Sequence, residues 1–477
     1  MQNINKELVI LILGRVVQVF IMLVSIKIST TFLSPLEMGN LYLIMSICSF
    51  FGLFFINPVG QYINRKTHEW HQKSILANKL WNYNYYILLA SILSLFIVMG
   101  LYDVGIARNI QYMSLIFFIP LFVFFNTWNQ TLIPLFNMLE HRAIFTTLTI
   151  STLAVSLVLS YLLIVLLEAD GIVWFVGQSM GLGLIAIVSL IYFREKIGDK
   201  LSISMAHSEI TCINFKNILS FSLPLSIGVM FLWIQTQSYR LVIEKLIGAE
   251  FLGYFGVGIS ISNAISSSFE AIVMQFLYPK MYKHMNDEAH FKIIFSDILN
   301  TILPIYFFVA IFVSFLSIYL TIILVDIKYA SSFLFVIFGI WIEFFRMSSN
   351  LIATIAHSKM KTKELIFPYA FGGIIVLFGT FFGSFTENYK LIIPIVLIIS
   401  GFVTFVTMFQ QMNKIMKIDL YVKSFLKIVP YTFVFIFLAL FYEYANNVIL
   451  SIVVITVFGI YFIFALYKIV YFRGVIM

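Results

Sequence analysis

The sequence predicts an all-α polytopic membrane protein of about 14 transmembrane helices. It expects two pseudo-symmetric six-helix lobes around a central cavity, plus two C-terminal helices. Three observations point there. First, of 477 residues 61% are hydrophobic and 11% charged, with a mean hydropathy of +0.99. A soluble chain carries about 25% charged residues, so this one lacks the polar surface to live in water and takes a bilayer as its solvent. Second, apolar runs of about 20 residues, each able to cross a hydrocarbon core of about 30 Å, recur along the whole chain. Third, a short turn segment recurs after six such runs.

The spans are expected near 8–33, 41–63, 83–102, 112–136, 145–167, 172–193, 218–242, 251–277, 298–324, 331–355, 365–383, 390–411, 427–443 and 448–471. Span one carries Arg15 and Lys27, is too long for a signal-peptide core and is followed by no small-residue cleavage site, so it reads as a retained helix. Pro58, Pro120, Pro134, Pro224, Pro304, Pro368, Pro394 and Pro430 fall inside spans, where each removes a helix hydrogen bond and permits a kink. Gly177 with Gly181 in span six, and Gly379 with Gly383 in span eleven, are small-residue notches for close helix packing.

Charge tests the count. An even number of spans puts both termini on one side, and that side holds 22 of the 30 Lys and Arg residues, while the opposite loops hold Arg108, Lys245, Lys328 and Lys390. This split fits the positive-inside rule with cytoplasmic termini. It accounts for the net charge of +8 by topology and excludes nucleic acid as a partner, leaving attraction to anionic membrane lipid. The loops are too short to fold as soluble domains; the longest, 194–217, lies on the basic side. No phosphate-binding loop is present, and His68-Glu69-Trp70-His71, in a basic loop, lacks the spacing of a metalloprotease motif. Cys48 and Cys212 form neither a disulfide framework nor a metal pattern. No cofactor, no metal and no enzymatic activity are expected.

The repeat is carried by Pro35-Leu36-Glu37-Met38-Gly39 before span two and Ala249-Glu250-Phe251-Leu252-Gly253 before span eight, at an offset of 214 residues that places Gly39 over Gly253. Glu140-His141-Arg142 and Ala356-His357-Ser358 follow spans four and ten in the same way. Six spans per period give two copies of the same orientation, the arrangement of parallel repeats with a substrate site between them. The expected domains are therefore 1–200 (spans one to six), 201–411 (spans seven to twelve) and 412–477 (spans thirteen and fourteen).

These features together resemble the polysaccharide transport family, the Wzx-type lipid-linked oligosaccharide flippases of the multidrug/oligosaccharidyl-lipid/polysaccharide exporter superfamily. The resemblance runs over the full length. It implies lobes that alternate their access and a polyprenyl diphosphate substrate carrying an O-antigen or capsule repeat unit. It implies a bacterial inner-membrane location, H⁺ or Na⁺ as candidate coupling ions, and a polysaccharide polymerase and chain-length regulator as candidate partners. Where that family often places an acidic residue before the basic one late in span seven, this chain has Tyr239 before Arg240.

Six ionisable residues fall well within the expected spans: Arg15, Lys27, Arg240, Glu270, Glu343 and Arg346. A basic residue at mid-membrane costs roughly 2.5–3.5 kcal/mol, so these must face water, pair or snorkel. Four cations against two carboxylates leave a positive excess that suits a diphosphate. Arg240, Arg15, Arg346 and Lys27 are thus the candidate substrate-binding residues, with Arg15 and Lys27 equally able to snorkel. Arg346 and Glu343, three residues apart, are placed to pair; Glu270 can neutralise Arg15 or Arg346, or carry a coupling proton. Polar stripes at helical spacing add Gln18 (span one), Asn57 and Gln61 (two), Asn126 and Asn129 (four), Gln237 (seven), Asn263 (eight) and Asn350 (ten), which line a wet path or join packed helices.

The function expected is a flippase that carries an undecaprenyl-diphosphate-linked oligosaccharide from the cytoplasmic to the periplasmic leaflet. Arg15 and Arg346 would hold the diphosphate first, and Arg240 and Lys27 would receive it near the outer side. Two alternatives remain at this level. A multidrug or small-molecule antiporter of the same superfamily would have an acidic lumen; a membrane glycosyltransferase or polymerase would need a catalytic acid and a large outer loop.

Overall fold

The computed structural model describes residues 2–197, 201–202, 206, 212–283, 288–359, 361–442, 445 and 447–471. Among these residues all regular structure is helical, and 14 helices are long and apolar enough to cross a membrane. They are Leu13–Phe32, Pro35–Gln72, Leu76–Asp103, Tyr112–Met138, Arg142–Leu166, Gly171–Ile197, Lys216–Gln237, Ala249–Met274, His290–Leu324, Ile327–Ser358, Thr362–Gly383, Tyr389–Ile415, Val422–Ala439 and Val448–Ile469. The chain divides into two compact units, one of Met1–Ser25 with Phe32–Gly253 and the other of Ile26–Thr31 with Tyr254–Met477.

In the first unit the turn before span two is assembled residue by residue. Ser34 caps the helix by accepting from Glu37 N–H, and Pro35 occupies the first turn, where its missing N–H costs nothing. Glu37 reaches sideways: its Oε2 accepts from Gly171 N–H at 2.9 Å, placing a carboxylate on the positive N-terminus of span six. Gly39 has no room for a side chain, since a Cβ there would collide with the Ala249 carbonyl oxygen, and a Cβ on Gly253 would collide with the Pro35 carbonyl oxygen. The two residue pairs are related by the same 214-residue offset that defines the repeat, so the two copies touch each other reciprocally at equivalent positions. Because backbone atoms block the space, Gly39→Val and Gly253→Val are each expected to force the helices apart at a cost of about 1–3 kcal/mol. Thermal unfolding in detergent checks this; an unchanged midpoint would show that the crossing is not maintained.

Span two is longer than the sequence predicts. It runs through a π-helical turn at Phe51–Ile56, just ahead of Pro58, and continues to Gln72, so the His68–His71 segment lies on a helical tail and not in a loop. Proline removes an N–H, the turn widens, and side chains from other helices bond to carbonyls beside the break. Tyr86 Oη donates to Phe55 O at 2.7 Å and Ser222 Oγ to Pro58 O at 3.3 Å. Trp233 Nε1 donates to both Ser46 O and Ser49 Oγ, tying span seven to span two. The glycine notches of span six receive span five: a Cβ at Gly177 or Gly181 would strike the backbone of Ser160 or Ser156.

Span seven is shorter than predicted. It ends at Gln237, and a separate short helix follows over Tyr239–Leu246, separated at Ser238, whose hydroxyl turns back to the Ile234 carbonyl. Arg240, placed inside span seven by sequence, therefore belongs to this short segment, because the polar run Gln235–Arg240 ends the apolar stretch before the arginine is reached. On the same segment Glu244 is buried and its Oε1 accepts from Ala107 N–H at 3.1 Å, bracing the loop after span three, where Ala107 adopts φ 63°.

Burial raises the Glu244 carboxyl above its ordinary range, against the smaller opposing pull of the Ala107 N–H. The folded state then holds this proton more tightly than the unfolded one. Its ionised form costs stability at neutral pH, and acidification through the raised folded pKa relieves that cost. Glu244→Gln keeps an acceptor for Ala107 and removes the titration. It is expected to melt at or above the wild type near about pH 7, with the advantage shrinking toward about pH 5. A pH-independent difference between the two melting temperatures would refute this assignment.

In the second unit spans thirteen and fourteen pack on span nine. Phe462 stacks on Phe308 and Phe312 with ring centroids 5.0 and 4.3 Å apart, and Tyr319 Oη donates to the Leu438 carbonyl at 2.9 Å. Span thirteen is a series of short helical pieces, with Pro430 in the first turn of one of them. The segment Ile26–Thr31 of span one joins this unit through the end of span nine: Asp326 N–H donates to Thr30 Oγ1, and Lys328 Nζ donates to Thr31 O at 3.0 Å.

Candidate functional site

The four candidate cations differ in what already holds them. Arg15, in span one, donates from Nη1 to Gln18 Oε1 at 2.9 Å, while its buried Nε meets no acceptor among the described residues. Among the described residues it has no carboxylate partner, so Gln18 orients the guanidinium without neutralising it. Arg240 is half-buried between two aromatic rings, with Cζ 5.6 Å from the Tyr42 centroid and 5.7 Å from that of Tyr239. Its Nε donates to Tyr239 Oη at 3.3 Å, and it too makes no ion pair among the described residues. Aromatic faces hold a guanidinium in place yet leave its outer N–H groups free to fork onto an anion. Both arginines belong to the first unit.

Lys27 and Arg346 lie in the second unit and are already engaged. Lys27 Nζ donates to the Val325 carbonyl just past the C-terminal end of span nine, where a cation complements the helix dipole. Arg346 is gripped by two carboxylates: Nε donates to Glu343 Oε2 at 2.6 Å and Nη2 to Glu270 Oε2 at 2.9 Å. Their other oxygens are served as well, Glu343 Oε1 by Asn263 Nδ2 at 3.3 Å and Glu270 Oε1 by Asn350 Nδ2 at 3.0 Å. Side-chain exposures of 24% for Arg346, 16% for Glu270 and 5% for Glu343 place this group mostly out of solvent. One guanidinium and two carboxylates carry a net negative charge, and Arg346, not Arg15, is the partner Glu270 takes.

The polar stripes separate into two kinds. Asn129 is glue: it is buried and its Nδ2 donates to Thr152 Oγ1 of span five. Asn57 pairs with Gln61, and Asn126 with Gln130, each along its own helix; Asn57 and Gln130 are exposed. Gln237 uses its backbone carbonyl to accept from Ser46 Oγ. Sequence reasoning missed Tyr42, the ring under Arg240. Its contact spans 198 positions, and only its place three residues after Gly39 in the repeated turn marks it.

The architecture defines a class: a polytopic helical membrane protein with the fold of multi-span transporters. The fold is shared with the solved lipid II flippase MurJ in an inward closed conformation, at a TM-score of 0.70 and 15% identity, covering 99% of this chain and 100% of that one. It is similar also to an inward-facing multidrug resistance MATE family transporter of the MOP superfamily (TM-score 0.56, 11% identity, 84% and 94% covered). A eukaryotic MATE transporter is comparable (TM-score 0.55, 13% identity, 90% and 98% covered). The chain belongs to the family described as polysaccharide biosynthesis protein, which it matches over residues 4–285. No curated protein sequence matches it. The resemblance read from the spans and the repeated turn is thereby borne out in family and in fold.

Proposed function

We propose that this protein is a flippase for an undecaprenyl-diphosphate-linked oligosaccharide, an O-antigen or capsule repeat unit. It moves its substrate from the cytoplasmic to the periplasmic leaflet of a bacterial inner membrane and keeps both termini in the cytoplasm. The observation that carries the reading is the pair Arg15 and Arg240, two guanidinium groups with no carboxylate partner among the described residues, in a chain of the polysaccharide biosynthesis family. In this reading Arg15 and Arg240 bind the diphosphate by charge-assisted hydrogen bonds. Lys27 and Arg346 hold helices together until the substrate competes for them. No bond is made or broken, the lipid tail stays in the bilayer, and an inside-negative potential favours outward movement of the anion.

One observation favours a small-molecule antiporter as the second reading: the net negative Glu270–Arg346–Glu343 group could attract a cation. Purified protein in liposomes separates the two. Transfer of a labelled undecaprenyl-diphosphate oligosaccharide to the opposite leaflet, glycan intact, is the expected result. Movement of a cationic dye alone, or transfer of the sugar to an acceptor, would overturn it.

A further inference from the structure

Inside the first unit, spans three, four and six line a half-open cavity of about 430 Å³ that none of the candidate cations touches. The walls are almost wholly apolar and rich in rings, with Trp81, Phe125, Trp128 and Phe193 among them. Besides Asn84, two features break this apolar character. Trp81 Nε1 is buried without an acceptor among the described residues, an uncommon state for an indole N–H, which normally finds a partner. Arg194, exposed and without an ion pair among the described residues, stands in the lining at the end of span six. Leu201 closes that end, where neighbouring residues are fixed to span three: Ser202 N–H donates to Asn78 Oδ1, and Asn82 Nδ2 donates to the Ala206 carbonyl.

We propose that this cavity is a binding site for one anionic phospholipid, with an acyl chain between the rings and the phosphate on Arg194. The walls belong to helices that cross the membrane, so the occupant comes from the bilayer, and the volume falls in the range of sites that bury a small ligand. Arg194, the one cation among the described lining residues, selects an anionic headgroup, and Trp81 Nε1 offers a donor that an ester carbonyl can satisfy. The end that carries Arg194 is the one with Lys79, Arg142 and Lys196, the basic face that anionic lipid favours. The site does not depend on what the protein transports.

The test is native mass spectrometry of the full chain released from nanodiscs of equal phosphatidylglycerol and phosphatidylethanolamine. The wild type is expected to retain one phosphatidylglycerol in preference to phosphatidylethanolamine. Arg194→Gln should lower that preference about five-fold, the scale of one surface cation's attraction to anionic lipid. Ala186→Phe, which fills the cavity, should remove the bound lipid, and Trp81→Phe, which keeps the ring and deletes the donor, should weaken it in a chain that still folds. Retention in bulk proportion by the wild type, or a wild-type profile in both Arg194→Gln and Trp81→Phe, overturns the proposal. Displacement of the lipid by added undecaprenyl phosphate also overturns it, by assigning the cavity to the substrate tail.

Discussion

Replacing Arg240 by alanine is expected to reduce glycolipid transport by about 10- to 150-fold, the equivalent of one charge-assisted hydrogen-bonding contact of about 1.5–3 kcal/mol. Arg240→Lys is expected to keep part of the activity, because the ammonium preserves the charge but not the planar fork that grips two phosphate oxygens. The contrast is interpretable because Arg240 is held by Tyr42 and Tyr239 and by no carboxylate. Its removal strands no buried countercharge, and the alanine variant should melt close to the wild type. Arg15→Ala is expected to act in the same direction, since Gln18 orients that guanidinium and does not discharge it. Transport measured in proteoliposomes, with thermal unfolding alongside, decides the matter. Full transport by Arg240→Ala would remove this residue from the substrate path; loss accompanied by an equal fall in stability would reduce it to a structural prop.

What could be read in advance follows from which forces act locally. The spans were legible because the bilayer demands a long apolar run for every crossing, and the recurring turn was legible because both copies keep a glycine where two backbones meet. The ends of helices were not. Span two continues through Pro58 and past Asn64 into a charged tail, with Tyr86 and Ser222 bonded to its backbone beside the break, and span seven stops before Arg240, where the polar run Gln235–Arg240 ends the apolar stretch. The site was legible at the level of residue type alone. Arg15, Lys27, Arg240 and Arg346 look alike as basic residues in apolar helices, yet they rest on an amide, a carbonyl, two rings and two carboxylates. Only Glu343 with Arg346 could be paired from spacing; Glu270 lies on another helix, and nothing local marks it as the third member.

That third member sets up the second large effect. Arg346→Ala should destabilise the protein by about 3–5 kcal/mol, because it leaves Glu270 and Glu343 facing each other in a weakly solvated place with no counterion. The same physics predicts a rescue. In the triple variant Glu270→Gln, Glu343→Gln and Arg346→Met, the charges vanish together, and each new amide oxygen can still accept from Asn350 or Asn263. Buried ion pairs are often exchanged for neutral groups of similar size at little cost, so most of the stability should return. Thermal unfolding of the two variants tests this; a triple variant as fragile as Arg346→Ala would mean that shape and not charge holds the group. Transport by the rescued variant then carries the sharper information. If a stable, uncharged group still moves the glycolipid, the triad only joins span eight to span ten. If transport fails while stability is restored, Arg346 or its carboxylates act during translocation, and the guanidinium must leave one partner to meet another.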